Sequence, residues 1–158
     1  MSGALEPSSI VDGDFIDSVL GLAPGSRLDA LRRGRAEVRL RLQTNWTALF
    51  APQDFGPFPA HERFAVAQRV AEISGAERLA RRYAKLAPPA PQNARLDAIL
   101  AHAKTVGSAP RDASRAELVR LAGAGLSPAT IVVLSQIVGF VATQVRVLAA
   151  LALLGETS

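Results

Sequence analysis

Apolar residues in this chain recur mostly every three or four positions, the spacing of one face of an α-helix. No segment of four to eight residues alternates convincingly between apolar and polar residues, as a half-buried strand would. The pattern predicts an all-α fold, a multi-helix bundle of about seven helices. The predicted helices cover residues 14–21, 27–50, 60–74, a stretch ending near Leu86, 94–106, a stretch from Ser114 to 123–125, and 128 onward.

Polar caps mark the starts of several of these helices. Ser26 precedes the helix that begins at residue 27 and is placed to cap it. Ser114 and Glu117 have the S-x-x-E spacing of a capping box. Ser127 and Pro128 form an N-cap and first-position pair for the final helix. Since these signals agree with the apolar spacing, both support the same helix boundaries.

Breaks between the helices define the organisation of the chain. The segment 51–59 is rich in Pro and Phe and predicts a turn, with Pro59 as the first residue of the next helix. Gly75 marks a break, and the Pro-rich segment 88–92 is the clearest internal one. Residues 1–13 predict a flexible N-terminal tail. A length of 158 residues fits one domain, so we expect residues 14–158 to form a single all-α domain.

The composition excludes several kinds of chemistry. Hydrophobic residues make up 49% of the chain, charged residues 20% and aromatic residues only 5%, so the core is built from aliphatic side chains. Cysteine is absent, which excludes disulfides, thiolate metal sites and cysteine nucleophiles. Two histidines far apart, without an acidic cluster, predict no metal site. The sequence also carries no phosphate-binding or dinucleotide fingerprint, so we expect no cofactor.

The net charge of +4 makes nucleic acid a partner to consider, because a basic surface can neutralise phosphates. Residues 27–41 hold six arginines, but Asp29 and Glu37 lie among them, and only Trp46 and Phe50 nearby could stack on bases. We therefore interpret this stretch as a solvated or intersubunit face, and nucleic acid as an unlikely partner.

The C-terminal run 131–154 is long enough to cross a bilayer. Arg146 lies past its middle, where burial in lipid costs about 3 kcal/mol. Polar and small residues also fall on one side of this helix, and such a stripe suits the centre of a soluble bundle: Ser135, Gln136, Gly139, Thr143 and Arg146. The N-terminus shows no basic region followed by an apolar run. We therefore expect a cytoplasmic protein that does not insert in a membrane.

Four polar residues on apolar helices are candidates for chemistry. Glu62 is either a first-turn acid favoured by the helix dipole or a general acid or base. Tyr83, the only tyrosine, is either a core ring or a catalytic hydroxyl, and His102 is either a satisfied buried histidine or a catalyst. Arg146 forms a structural ion pair or carbonyl cap, with Glu62, Glu72 and Glu77 as the obvious partners, or binds a carboxylate ligand.

The segment 61–83, HERFAVAQRVAEISGAERLARRY, resembles the core helix pair of the carboxymuconolactone decarboxylase and alkylhydroperoxidase D-like superfamily. That family shows a basic–acidic start, an R-V-A segment and then G-C-x-x-C-x-x-x-H. Gln144 and Arg146 stand near the place of an Asn-Arg pairing in its C-terminal helix. The resemblance covers residues 55–155, and leaves the N-terminal helices of residues 14–50 unmatched. It implies the alkylhydroperoxidase D-like fold and a homo-oligomer.

The departures from the family pattern change what the resemblance implies. Ala76 and Leu79 stand where the family's peroxidases have cysteines, and Tyr83 stands where they have histidine. Since a dithiol peroxidase works by thiolate attack and disulfide formation, that mechanism is excluded for this chain. The family's relay acid corresponds to Phe64, so Glu62 is two residues early and turned by about 200° on a helix.

Two functional hypotheses remain from the sequence. The first is a non-redox enzyme or binding protein for a small organic acid, with Glu62, Tyr83 and His102 as catalytic residues and Gln144 and Arg146 as substrate-binding residues. The second is a non-catalytic oligomeric binding or assembly module of the same fold. Whether the chain catalyses any reaction stays open at this point.

Overall fold

The computed structural model describes residues 13–156. Across these residues the chain forms eight α-helices and a short 3-10 turn at Pro110–Asp112, without a strand, so the predicted all-α fold is confirmed. The predicted tail of residues 1–13 lies almost entirely outside this range. The helices are α1 (Phe15–Leu20), α2 (Arg27–Arg33), α3 (Ala36–Phe50), α4 (Ala60–Ile73), α5 (Glu77–Leu86), α6 (Ala94–Ser108), α7 (Arg115–Gly123) and α8 (Pro128–Glu156).

The chain divides into two compact units, and the first contains α1, α2, α3 and the end of α8 from Arg146. Its core contains three aromatic rings beside Ile16, Val19 and Leu42, so the expectation of an aliphatic core is wrong for this unit. The Phe15 ring stacks on Trp46 with centroids 5.0 Å apart, and Trp46 contacts Phe50 at 5.8 Å. The backbone N–H of Phe15 donates to Gln43 Oε1 at 2.8 Å, which ties α1 to α3. Large aromatic rings therefore fill much of this small core.

Acidic residues of the first unit neutralise much of its arginine-rich stretch. Arg32 contacts Asp14 Oδ1 at 2.5 Å and Asp17 Oδ1 at 2.7 Å, and Arg39 contacts Asp17 Oδ2 at 2.5 Å. Two further pairs, each four residues apart, join Arg33 to Asp29 and Arg41 to Glu37. Pairing within the unit leaves fewer of these cations for an external polyanion.

The second unit spans residues 53–145 and contains α4 to α7 and the first part of α8. Here α4 packs against both α5 and α6, and α6 packs against α7. Gly107 lets α6 approach α4 closely, since a Cβ there would lie 3.1 Å from Cδ1 of Ile73. The core consists of buried side chains from these helices, including Phe64, Val70, Leu79, Tyr83, Ile99, Leu121 and Ile137.

The predicted caps are confirmed. The Ser26 side chain accepts a hydrogen bond from the backbone N–H of Asp29. Ser114 and Glu117 form the reciprocal bonds of a capping box at the start of α7. Ser127 Oγ accepts from the backbone N–H of Thr130 at 3.2 Å, and α8 begins at Pro128. The local signals therefore fix where these helices begin.

Two boundary predictions are wrong. The predicted helix over 27–50 is two helices, because the chain turns at Gly34 and Arg35 before α3 begins. Gly34 is a weak helix former, and Arg35 has φ −120° and ψ 44°, outside the helical region. Pro59 precedes α4 as its N-cap rather than beginning it, because its ψ of 162° is extended.

The orientation predicted for α8 is also wrong. The buried side carries Leu134, Ile137, Val141 and Gln144, spaced three or four residues apart. The stripe predicted for the centre of a bundle is exposed at every position: Ser135, Gln136, Gly139, Thr143 and Arg146. Turning the larger apolar side chains inward removes more apolar surface from water, so that side is buried instead.

By length and composition alone, α8 is apolar enough to cross a membrane. The span Pro128–Gly155 has a mean hydropathy of 2.1 in its most apolar window, of which 22% is buried. One such helix is weak evidence for membrane insertion, because core helices of soluble proteins pass the same test.

Candidate functional site

Glu62 lies in the first turn of α4 and is 3% exposed. Its carboxylate accepts two hydrogen bonds from Arg95 of α6, from Nε at 2.6 Å and from Nη2 at 3.0 Å. This hydrogen-bonded pair raises the pKa of Arg95 above its ordinary value. Arg95 also donates to the carbonyls of Pro57 at 3.0 Å and Ala124 at 3.3 Å. The pair therefore joins four segments of the second unit, and Arg95 engages both oxygens of Glu62.

Tyr83 and Gln144 meet in the core of the second unit. The Tyr83 hydroxyl donates to Gln144 Oε1 at 2.6 Å, and both side chains are fully buried. The Tyr83 ring also meets Phe64 edge to face, with centroids 6.2 Å apart. The bond links α5 to α8 across 61 residues of sequence. A phenol donating to an amide carbonyl inside an apolar core satisfies two buried polar groups, which holds helices together without requiring a ligand.

His102 of α6 faces the capping carboxylate of α7. His102 and Glu117 are 5% and 7% exposed, and Nδ1 of the histidine lies 3.9 Å from Oε2 of the glutamate. That distance is too long for a hydrogen bond, and Nδ1 has no partner among the described residues. Burial lowers the pKa of His102, only partly opposed by the charge of Glu117. Hydrogen bonding from Thr105 is the largest effect that lowers the pKa of Glu117.

Arg146 is exposed, so its charge is solvated and requires no buried partner. The acids proposed as its partners bond elsewhere. Glu62 pairs with Arg95, and Glu72 accepts from Gln68. Glu77 pairs with Arg81 at 3.3 Å. The ion pair was expected because a buried arginine needs a partner, and this reason does not apply to an exposed Arg146.

The five predicted site residues are only partly brought together. Tyr83 and Gln144 bond directly. Glu62 pairs with Arg95 and His102 faces Glu117, and both of these neighbours lie outside the predicted set. Gln144 and Arg146, two residues apart on α8, point about 200° apart. What this arrangement does chemically is to satisfy buried polar groups and connect helices. The cysteine positions of the resembled peroxidases carry Ala76, just before α5, and the buried Leu79.

A cleft of about 350 Å³ opens in the second unit between α4, the segment 87–92 and the start of α6. Polar side chains along one face of α4 form one wall: His61, Gln68, Arg69 and Glu72. Leu96 and Leu100 of α6 form an apolar wall. None of the five predicted site residues lines this cleft.

A second exposed feature is the outer face of α8, which we define as Val132, Ser135, Gly139 and Thr143. All four residues are exposed, and Val132 is 57% exposed although it is a large aliphatic residue. Ser135 and Thr143 donate their hydroxyls to the carbonyls of Ile131 and Gly139 in their own helix, both at 3.0 Å. These hydroxyls are thus already satisfied, so burying this face would leave neither of them without a hydrogen bond.

Sequence reasoning missed Arg95 and the cleft. Arg95 is 33 residues from Glu62, and a single sequence contains no signal for that pairing. The α4 wall of the cleft had a readable signal, because residues 61, 65, 68, 69 and 72 share one helical face. The facing segment 87–92 did not, because its path against α4 is set by tertiary packing.

Among residues 13–156, no group of three or more His, Asp or Glu side chains is placed to hold a metal ion. Neither a protein-family model nor a curated protein sequence matches the chain.

Proposed function

We propose that this chain is a non-catalytic assembly module of the cytoplasm that forms a homo-oligomer through the outer face of α8. The observation that carries the proposal is the exposure of this helix. Its most apolar window has a mean hydropathy of 2.1 and is only 22% buried. Apolar surface left in water on that scale favours association, since each Å² of apolar area buried contributes about 25 cal/mol.

The occupant that fits the outer face best is the same helix of a second copy. Gly139 has nothing within 4 Å of the position a Cβ would take, so another helix can approach closely there. Ser135 and Thr143 flank it at intervals of four residues, and small residues at this spacing allow tight helix contact. In a two-fold homodimer one surface patch packs against its own copy, which a face of small, uncharged side chains permits.

Lipid is the less favourable occupant for the same helix. Gln136 and Arg146 are exposed on α8, and an arginine near the centre of a bilayer costs about 3 kcal/mol. At the rim of a protein interface both side chains stay in water at no such cost.

The resemblance to the alkylhydroperoxidase D-like superfamily is part of the same proposal. It is supported by the place of the matching segments, because residues 61–83 span the packed pair α4 and α5. Without cysteine, a member of that superfamily has no thiol peroxidase activity of its own. The engagement of Glu62, Tyr83 and Gln144 in bonds within the chain favours the assembly module over an enzyme.

The experiment replaces Gly139 by leucine and measures the mass in solution by size-exclusion chromatography with light scattering. Gly139→Leu fills the approach point without touching the rest of the chain, and leucine favours helix more than glycine. We expect the variant to be folded and monomeric, or at least ten times weaker in association. The matched control is Gly123→Leu, at an exposed α7 glycine with equally open space. Unchanged association in Gly139→Leu, or equal loss in both variants, would exclude the outer face of α8 as the interface.

A further inference from the structure

The cleft between α4, the segment 87–92 and the start of α6 presents charges of both signs side by side. Arg69 Nη1 lies 3.7 Å from Glu72 Oε2, which is beyond hydrogen-bond distance. The two side chains are 46% and 42% exposed, and such pairs contribute about 0–1 kcal/mol. Since the pair is weak, a ligand that bonds both groups separates them at little cost.

The carboxylate of this pair is already oriented. Gln68 Nε2 donates to Glu72 Oε1 at 2.8 Å, which holds the glutamate beside the cleft. Arg69 makes no hydrogen bond with another described residue, so its planar set of donors is available to a carboxylate in the two-point geometry that guanidinium favours. Arg69 can therefore pair with an anionic group of a ligand, and Glu72 with a cationic group.

The opposite wall selects the rest of the ligand. Leu96 of α6 is buried and Leu100 of α6 is half-buried, and Ala65 adds an apolar side chain on the α4 side of the cleft. A volume of about 350 Å³ is at the small end of ligand cavities, which begin at about 300 Å³. A compact molecule with an ammonium and a carboxylate at one end and an aliphatic group at the other satisfies each wall.

We propose that this cleft binds an aliphatic α-amino acid, whose carboxylate pairs with Arg69, whose ammonium pairs with Glu72 and whose side chain packs on Leu96 and Leu100. This function goes beyond self-association through α8 and involves none of the residues of its outer face.

The first test compares three probes on the unmodified protein by isothermal titration calorimetry. L-leucine carries both charges, N-acetyl-L-leucine lacks the ammonium, and L-leucinamide lacks the carboxylate. Since loss of one charged contact costs about 1.4 kcal/mol or more, we expect each blocked probe to bind at least ten times more weakly than L-leucine. No binding of L-leucine at millimolar concentration overturns the proposal, and so does equal binding of N-acetyl-L-leucine, which would indicate a site for simple acids.

The second test places the site on α4. Arg69→Gln and Glu72→Gln each remove one charge from an exposed side chain, so we expect both to stay folded and to weaken L-leucine binding at least tenfold. The matched control is Arg111→Gln, because the Arg111 side chain is 92% exposed and does not line the cleft. Binding unchanged in both α4 variants contradicts the proposed site. The mass of each variant in solution is measured on the same samples, so failure of this site and failure of self-association are distinguished.

Discussion

At the scale of single residues, the Tyr83 hydroxyl and the Gln144 amide carbonyl depend on each other inside the core. Tyr83→Phe keeps the ring and removes the donor to Gln144 Oε1. Because the amide is then buried without its partner, we expect a loss of about 1–3 kcal/mol in the free energy of unfolding. Urea denaturation followed by circular dichroism measures it. The double variant Tyr83→Phe with Gln144→Leu removes both polar groups, so its loss should be smaller than the sum of the losses of the two single variants. A double variant whose loss equals that sum would contradict the pairing.

Glu62 connects α4 to α6 through its two hydrogen bonds from Arg95. Glu62→Gln removes the charge from a partly buried ion pair with Arg95, and we expect it to lower the free energy of unfolding by about 1–3 kcal/mol. The matched control is Glu77→Gln, also in the first turn of a helix, whose pair with Arg81 is exposed and contributes less than about 0.5 kcal/mol. An equal free energy of unfolding for the two variants would show that the Glu62–Arg95 pair stabilises the fold no more than an exposed ion pair does.

The positions of some of these residues could be predicted from the sequence, but their partners could not. It places Glu62 in the first turn of a helix, where the structure also has it. It leaves Tyr83 open between a core ring and a catalytic hydroxyl, and in the structure the ring is buried. It does not place Arg95 beside Glu62 or Gln144 beside Tyr83, which are 33 and 61 residues apart. Such partners are determined by how helices pack, and periodicity within one helix contains no information about another.

At the scale of elements, the contact of α6 with α7 predicts a pH dependence. Burial holds the pKa of His102 below 6.5, so in acid the unfolded chain binds a proton that the folded chain does not. The free energy of unfolding should therefore fall as the pH decreases from about 7 to about 5. Glu117 is the charged group that faces His102, and its lowered pKa places its own contribution at more acidic pH, in the same direction.

Urea denaturation at a series of pH values measures this effect in two variants. His102→Gln should flatten the dependence between about pH 7 and about pH 5. His61→Gln removes the other histidine, which lies at the cleft, and serves as the control that keeps the dependence. If the unmodified protein is equally stable across this range, His102 is not held neutral by burial.

The start of a helix could be predicted from the sequence where a nearby side chain caps it. The hydroxyls of Ser26, Ser114 and Ser127 each accept a backbone hydrogen bond within three residues, so the starts of α2, α7 and α8 were readable. The break at Gly34 was not, because single glycines are tolerated inside helical patterns. The orientation of α8 was not either, since a helix that is apolar on most sides gives little periodic signal for which side is buried.

At the scale of the whole molecule, only 22% of the most apolar window of α8 is buried, which supports the proposed assembly module. The absence of cysteine excludes thiol peroxidase chemistry, and two polar pairs of the second unit, Tyr83 with Gln144 and Glu62 with Arg95, are bonded within the chain. The exposed features are the outer face of α8 and the cleft on α4. Both depend on which side of a helix faces the core, and the apolar spacing of α8 did not predict its buried side correctly.

Sedimentation velocity of the unmodified protein over a range of concentrations in detergent-free buffer is the most direct measurement of the central claim. One chain has a mass of 16.6 kDa. We predict a single species of two or more chains that persists at micromolar concentration and stays soluble without detergent. A 16.6 kDa monomer at every concentration, or a protein that leaves solution unless detergent or lipid is supplied, would contradict assembly through α8.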